Sequence, residues 1–245
     1  MRTALTIAGS DSSGGAGVQA DLKTFAAHGV YGLSAITAVT AQNTIGVTAF
    51  EALSADLVTA QIEAVVSDIG VNAVKTGMLP TAASVQAVAA AVADLDLPWL
   101  VVDPVMMAKS GDRLMDDEAV DAMKSALLGR AFLVTPNLPE AEALAGIAID
   151  SEEARREAAR RIVALGAARV IIKGGHFPSP DIVDLLYDGR RFVEFRTVRT
   201  EGRSTHGTGC TFAAALTAHL ALGHRVKDHF RHCQSNHCSR LGVRQ

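Results

Sequence analysis

Short unbroken apolar runs alternate along this chain with longer stretches in which apolar residues return every three or four positions, the pattern of buried strands separated by amphipathic helices. Ala4 to Ala8 is the first run; beyond the polar, glycine-rich segment Gly9 to Gly15, Val18, Leu22 and Phe25 share one helical face. Leu33 to Thr40 is rich in apolar and β-branched residues, and Val58, Ile62, Val65 and Ile69 predict the helix that follows. Ala73 to Thr76 reads as a short buried strand, Val85, Val88, Val92 and Leu95 as a helix, and Trp99 to Val102 as a strand closed by Asp103 Pro104. Val120, Met123 and Leu127 mark another helix and Ala131 to Val134 another strand. An acidic, arginine-rich helix then turns Ala158, Ile162 and Leu165 inward ahead of Val170 to Ile172. Strands that are apolar throughout must bury both faces, which predicts an α/β fold: a mainly parallel sheet, covered by helices on both sides, with ligands at the carboxyl ends of the strands. Ile182 to Leu186 and Phe192 to Phe195, joined through Asp188 Gly189, predict an antiparallel hairpin at an edge.

The 245 residues, 49% of them apolar, suffice for one large α/β unit, and no shift in composition divides them. A formal charge of -3 excludes the broad basic field of a nonspecific nucleic-acid binder, and the scarce aromatics offer no stacking platform. The N-terminal run Met1 to Gly9 is too short for a secretory signal, and no later run approaches the length of a membrane span. Cys210, Cys233 and Cys238 form no disulfide framework. A cytoplasmic enzyme acting on a small molecule is the expectation.

Several turns then carry candidate chemistry. Gly15 Ala16 Gly17 Val18 Gln19 Ala20 matches the dinucleotide pattern G-x-G-x-x-A, but Leu33 to Gln42 contains no acidic residue for a ribose, and the P-loop order of glycine, lysine and a hydroxyl residue is absent. Asp21, early in the helix after the first loop, serves either a polar substrate or the helix end. Gln42 and Asn43 place two amides at a strand end, suited to a heteroaromatic ring with mixed donors and acceptors, or to a turn. Asp103 is placed either to meet magnesium-bound water or to cap its turn. Asn137 and Glu140 bring an amide and a carboxylate to the same edge of the sheet, with Glu140 able to organise magnesium water, and Lys173 follows its strand either as a phosphate counter-charge or as a surface lysine.

Ser204 Thr205 His206 Gly207 Thr208 Gly209 Cys210, followed by Phe212, Leu216 and Leu220 at helical spacing, is the strongest local feature. Backbone N–H groups around Gly207 and Gly209 and the positive end of the helix form a cradle for a transferring phosphoryl group, to which Thr208 adds a hydroxyl. The helix end is expected to lower the thiol pKa of Cys210, making it either a general base or, in the plainer reading, a packed cysteine. His206 either orders the loop or contacts phosphate.

Taken together, the runs Ala8 to Phe25, Thr40 to Thr44, Lys75 to Met78, Val102 to Met106, Thr135 to Glu140, Ile172 to His176 and His206 to Thr211 resemble the bacterial hydroxymethylpyrimidine and phosphomethylpyrimidine kinases of thiamine biosynthesis, in the ribokinase-like superfamily. The resemblance covers the chain from its start to about Gly223. It implies a three-layer α/β/α fold; ATP and Mg2+ as cofactors; a small-molecule pyrimidine and its phosphate as substrates; no nucleic acid and no membrane; and a homodimer. Gly9, Asp21, Gln42, Met78 and Val105 would line the substrate pocket. Lys173, Asn137, Thr205 and His206 would meet the nucleotide, Gly207, Thr208, Gly209 and Cys210 would form the catalytic turn with Cys210 as base, and Asp103 and Glu140 would hold the metal, through water. Pyridoxal or pyridoxine kinase is the enzyme alternative, and a noncatalytic nucleotide-binding regulator the other.

Residues 1–245 are expected to form a single kinase domain with an atypical tail at 225–245. From Asp228 to Gln245 the family pattern of a further apolar helix gives way to a run with His229, His232, Cys233, His237 and Cys238. A reading-frame change or unusual truncation is the expectation there, with a metal-binding tail as the alternative.

Overall fold

Apolar runs become strands and striped segments become helices in the order β1 (Thr3–Asp11), α1 (Gly17–Ala27), β2 (Tyr31–Gln42), β3 (Val47–Ala52), α2 (Ala55–Asp68), β4 (Ala73–Thr76), α3 (Ala82–Asp94), β5 (Leu100–Val102), α4 (Asp117–Ala122), β6 (Leu133–Val134), α5 (Leu138–Ala145), α6 (Glu152–Ala164), β7 (Val170–Ile172), β8 (Asp181–Tyr187), β9 (Phe192–Val198) and α7 (Thr208–Ala221). The structure, a computed structural model, describes residues 1–108, 111–175, 181–198 and 206–226. His176, Ser204, Thr205 and the run from Asp228 to Gln245 lie outside the described residues.

The strands form one sheet in the order β3-β2-β1-β4-β5-β6-β7-β8-β9. From β2 through β7 the neighbours are parallel, while β3 at one edge and β8 and β9 at the other are antiparallel. Successive strand residues point to opposite faces, and both faces are dry. Leu100 and Val102 of β5 pack into the cluster formed with α2, α3, α4, α5 and α6, whereas Val101 packs into the one formed with α1 and α7. The result is the expected three layers, helix, sheet and helix.

Helix starts follow local chemistry. Ser54, Asp116 and Ser151 accept hydrogen bonds from the third residue of α2, α4 and α6. Thr81 with Ser84, and Asn137 with Glu140, close reciprocal capping boxes at α3 and α5. The stripe through Val120, Met123 and Leu127 does not form one α-helix: Met123–Leu127 is π-helical, and Met123 and Leu127 are still buried. β3 has no counterpart among the expected elements. It pairs with β2, but its residues are half-buried or exposed, so no apolar signal announces it. No helix among the described residues is long and apolar enough to cross a membrane.

Candidate active site

Because β2, β1, β4, β5, β6 and β7 run parallel, the residues at their carboxyl ends collect along one edge of the sheet, and Gln42, Met78, Asp103, Asn137 and Lys173 meet there. The first turn of α7 reaches the same edge. A Cβ added to Gly209 would lie 3.3 Å from Lys173 Nζ, so the helix start sits against that ammonium.

On the side nearer β1 the wall is apolar. A Cβ on Gly9 would approach Met78 Sδ to 3.1 Å, and Met78, with Ala38 and Leu114, forms a small cluster against which Val105 packs. Gln42 is tied down by its backbone, whose N–H donates to Ser12 Oγ at 2.8 Å and whose carbonyl accepts from the same hydroxyl at 2.7 Å. Its Oε1 accepts from Thr40 Oγ1 at 3.1 Å. A cavity of about 140 Å³ opens between Gln42, Asn43, Thr44, Ile45, Gly46, Ala108 and His206.

Asp21 is fully buried rather than lining open space. Its Oδ2 accepts from Lys75 Nζ at 2.9 Å and Thr6 Oγ1 at 2.6 Å, leaving Oδ1 as a buried acceptor with no hydrogen-bond partner. Lys75 is a residue that sequence reasoning leaves without a role. Burial works against its charge, but Asp21, Cys210 and Asp103 outweigh that and raise its pKa above the usual lysine value. One signal is present in the sequence, a lysine directly after Ala73 and Val74 in the short buried strand Ala73–Thr76.

The side nearer β7 is charged. Lys173 Nζ lies 3.0 Å from Asp103 Oδ1 and 4.0 Å from Glu140 Oε2. Burial opposes its charge, and the two carboxylates override that to hold its pKa above the ordinary value. Burial, reinforced by Asp103 and opposed by Lys173, pushes the Glu140 carboxyl up to about 7. Glu140 Oε2 also accepts from the Asn137 N–H at 2.7 Å, while Asn137 Oδ1 accepts from the Glu140 N–H at 2.9 Å, so both side chains help to start α5. Asp184, likewise unassigned from sequence, anchors the turn after β7 by accepting from the Gly174 N–H at 2.8 Å.

Asp103 is buried and its Oδ2 has no hydrogen-bond partner, the condition of a carboxylate oxygen open to a cation or its water. The unpartnered Asp103 Oδ2 fits a hydrated Mg2+, with Glu140 facing the same Lys173 ammonium as Asp103.

Gly207 caps α7 with φ at 75°, and a Cβ there would fall 1.8 Å from the Gly15 carbonyl oxygen. The first glycine loop thus touches the turn, and only glycine allows both the backbone angle and the contact. Thr208 is exposed, and Cys210 is half-buried. The expectation of a lowered thiol pKa is corrected: burial, together with the Asp21 and Asp103 carboxylates, pushes Cys210 up to about 11 against the opposing pull of Lys75 and the Gly17 backbone. His206 turns Nε2 to Asp11 Oδ2 at 2.9 Å.

The sequence model of the phosphomethylpyrimidine kinase family matches residues 11–236. The hydroxymethylpyrimidine/phosphomethylpyrimidine kinase of Bacillus subtilis is 50% identical over 228 residues, which make up 93% of this chain and 84% of that protein. A bifunctional thiamine biosynthesis protein of Geobacter sulfurreducens is 51% identical over 224 residues, 91% of this chain and 46% of the relative, so the chain spans about half the length of that protein. Among solved structures, the phosphomethylpyrimidine kinase of Clostridium difficile superimposes with a TM-score of 0.86 at 40% identity, over 99% of this chain and 100% of its own. An ADP complex of Bacillus subtilis pyridoxal kinase superimposes with a TM-score of 0.87 at 40% identity, over 96% and 89%. The architecture is the ribokinase-like three-layer fold of these neighbours.

Proposed function

The chain belongs to the phosphomethylpyrimidine kinase family, and from that premise we propose that it transfers phosphate from ATP to the hydroxymethyl oxygen of 4-amino-5-hydroxymethyl-2-methylpyrimidine, and then to the resulting monophosphate, making the pyrophosphate used in thiamine biosynthesis. One arrangement supports the reading above others: the glycine turn that starts α7 stands over Lys173, Asp103 and Glu140, beside the apolar wall of Gly9, Met78 and Val105.

In this reading the ring lies against that wall, with the Gln42 amide supplying a polar contact, while Asp21, buried against Lys75 and Thr6, supports the pocket from behind. Lys173 and the N–H groups of the first turn of α7 offset the charge on the transferring phosphoryl group. Cys210 accepts the hydroxyl proton in the first step; in the second the nucleophile is a phosphate oxygen that is already ionised at neutral pH and needs no base. Asp103 and Glu140 would hold Mg2+, which when bound neutralises phosphate charge. The reading also takes residues 1–245 as one kinase unit with an atypical tail at 225–245, acting in the cytoplasm as a homodimer. Exposed Val39, Phe50 and Ile45 near one edge of the sheet support the dimer.

Assays with ATP and magnesium on hydroxymethylpyrimidine, its monophosphate and pyridoxal test the assignment. Efficient turnover of both pyrimidines is expected. Turnover of pyridoxal alone would move the chain to the vitamin B6 branch, and no product from any of the three would leave a nucleotide-binding regulator.

A further inference from the structure

Asp11 ends β1 with its side chain almost wholly buried, and donors converge on its carboxylate from two remote parts of the chain. From the first glycine loop come the Ser13 N–H at 2.8 Å, the Ser13 hydroxyl at 2.8 and 2.9 Å to the two oxygens, the Gly15 N–H at 3.1 Å and the Ala16 N–H at 2.8 Å. From the catalytic turn, 195 positions away, comes His206 Nε2 at 2.9 Å. A carboxylate only accepts, so the histidine carries its proton on Nε2, and that nitrogen is spent on Asp11. Burial works against the charge of Asp11, yet the bonds from His206, Ser13 and Ala16 prevail and hold its pKa below the ordinary carboxylate value.

Steric contact seals the same junction. The space where a Cβ of Gly15 would stand is within 2.6 Å of His206 Cδ2, and that of Gly207 is within 1.8 Å of the Gly15 carbonyl oxygen. The loop is tied in turn to the acceptor side. Ser12, next to Asp11, exchanges hydrogen bonds with the Gln42 backbone, and the Asp11 N–H donates to Gln19 Oε1 at 2.9 Å. From Gln42 to Gly207 there is a continuous path of hydrogen bonds and backbone, crossing between the two loops at Asp11 and His206.

We propose that Asp11 and His206 are a positioning pair: their hydrogen bond clasps the Gly207 to Cys210 turn to the first glycine loop, and so holds the phosphate cradle and the acceptor pocket in register for transfer. Neither side chain touches the reacting atoms; both act through the backbone N–H groups of the turn and through Cys210. The proposal rests on the reading of this turn as the phosphate-transfer site. It gives His206 a different role from the nucleotide contact implied by family resemblance, because a ligand to phosphate would act on ATP affinity, whereas a clasp acts on the geometry of transfer.

The test compares His206→Ala, His206→Gln, Asp11→Asn and the Asp11→Asn/His206→Ala double variant in the full chain, each checked for folding by circular dichroism and thermal melting. His206→Ala is expected to lower kcat by about tenfold or more while KM for hydroxymethylpyrimidine stays within about threefold. Glutamine, which keeps an N–H donor, is expected to restore part of the loss. The double variant is expected to be no slower than the worse single one within about twofold, because the two residues make one interaction. Unchanged kcat in folded His206→Ala, or losses that multiply in the double variant, would overturn the clasp. So would a rise in KM for ATP with kcat intact.

A second measurement separates this outcome from failure of the kinase reading. The rate at which iodoacetamide alkylates Cys210, identified by peptide mass spectrometry apart from Cys233 and Cys238, needs no turnover. Opening the clasp is expected to change it by about threefold or more in both His206→Ala and Asp11→Asn, and by less in His206→Gln. If the wild-type protein makes no product yet these variants shift the alkylation rate, the kinase reading fails and the clasp stands; an unshifted rate overturns the clasp.

Discussion

With its thiol pushed up to about 11 by burial and the Asp21 and Asp103 carboxylates, Cys210 is almost entirely protonated at neutral pH in the free protein. Its use as a base must therefore appear in the pH dependence of the first phosphorylation. Between pH 7 and 9, kcat/KM for hydroxymethylpyrimidine is expected to climb by close to tenfold per unit, because the thiolate fraction does so well below the pKa. The second phosphorylation should lack this climb, since phosphate monoesters lose their second proton at about pH 6. Cys210→Ala should cost the first step roughly 10² to 10⁴ in rate and the second step far less. Equal losses in both steps, measured with each substrate supplied separately, would remove the base role. Lys75 is a different kind of residue. Its pair with Asp21 is wholly buried, so Lys75→Met leaves an uncompensated carboxylate and is expected to cost about 3–5 kcal/mol in chemical denaturation. Asp21→Asn together with Lys75→Met should cost less than Lys75→Met alone, because no charge is then stranded. The sequence shows Lys75 only as an oddity inside a buried strand. Its meaning depends on a partner 54 positions away, and periodicity carries no information about such pairs.

Local chemistry decides more at the scale of elements. Asn137 and Glu140 were legible as an amide and a carboxylate near a strand end, and the structure shows that their spacing is also a capping box. The two roles make opposite demands on substitution. Serine preserves a cap, so Asn137→Ser should keep stability and KM for ATP near wild type, whereas Asn137→Ala should lose about 1 kcal/mol, because the Glu140 N–H then loses its side-chain acceptor. If Asn137 instead binds nucleotide through its amide, both variants raise KM for ATP alike, and steady-state kinetics beside thermal melts distinguish the cases. The glycine turn stood out in the sequence as a candidate phosphate cradle, but not for the second reason glycine stands there. Contact between Gly207 and Gly15 joins loops at opposite ends of the sequence, and only the fold makes them neighbours. β3 was illegible for the opposite reason: a strand that buries little has no need of an apolar pattern, and its pairing with β2 supplies its order.

Across the whole molecule, the parallel order was readable because uniformly apolar strands require cover on both faces, and that order alone brings six strand ends to one edge. The far end of β2 is where this cover fails. Register places Ala41 opposite Ala49 and Val39 opposite Glu51, so these four residues share one face of the β2–β3 ribbon, and all four are exposed. Phe50, opposite Thr40, is exposed on the other face, and Ile45 lies at the turn between the strands. Small and apolar side chains on a ribbon at the sheet edge suit a two-fold contact, in which each copy offers the same patch. A homodimer built there is expected to show twice the chain mass by light scattering after size-exclusion chromatography. Val39→Glu with Ala49→Glu adds two carboxylates beside Glu51 on the shared face, and in a two-fold contact each repels its counterpart. That variant should run as a monomer with an unchanged circular dichroism spectrum, because neither side chain is buried within the protomer. A dimer that survives both charges would place the contact on another surface. A wild-type monomer would leave the ribbon's apolar residues as ordinary exposed surface, since singly scattered apolar groups need no partner.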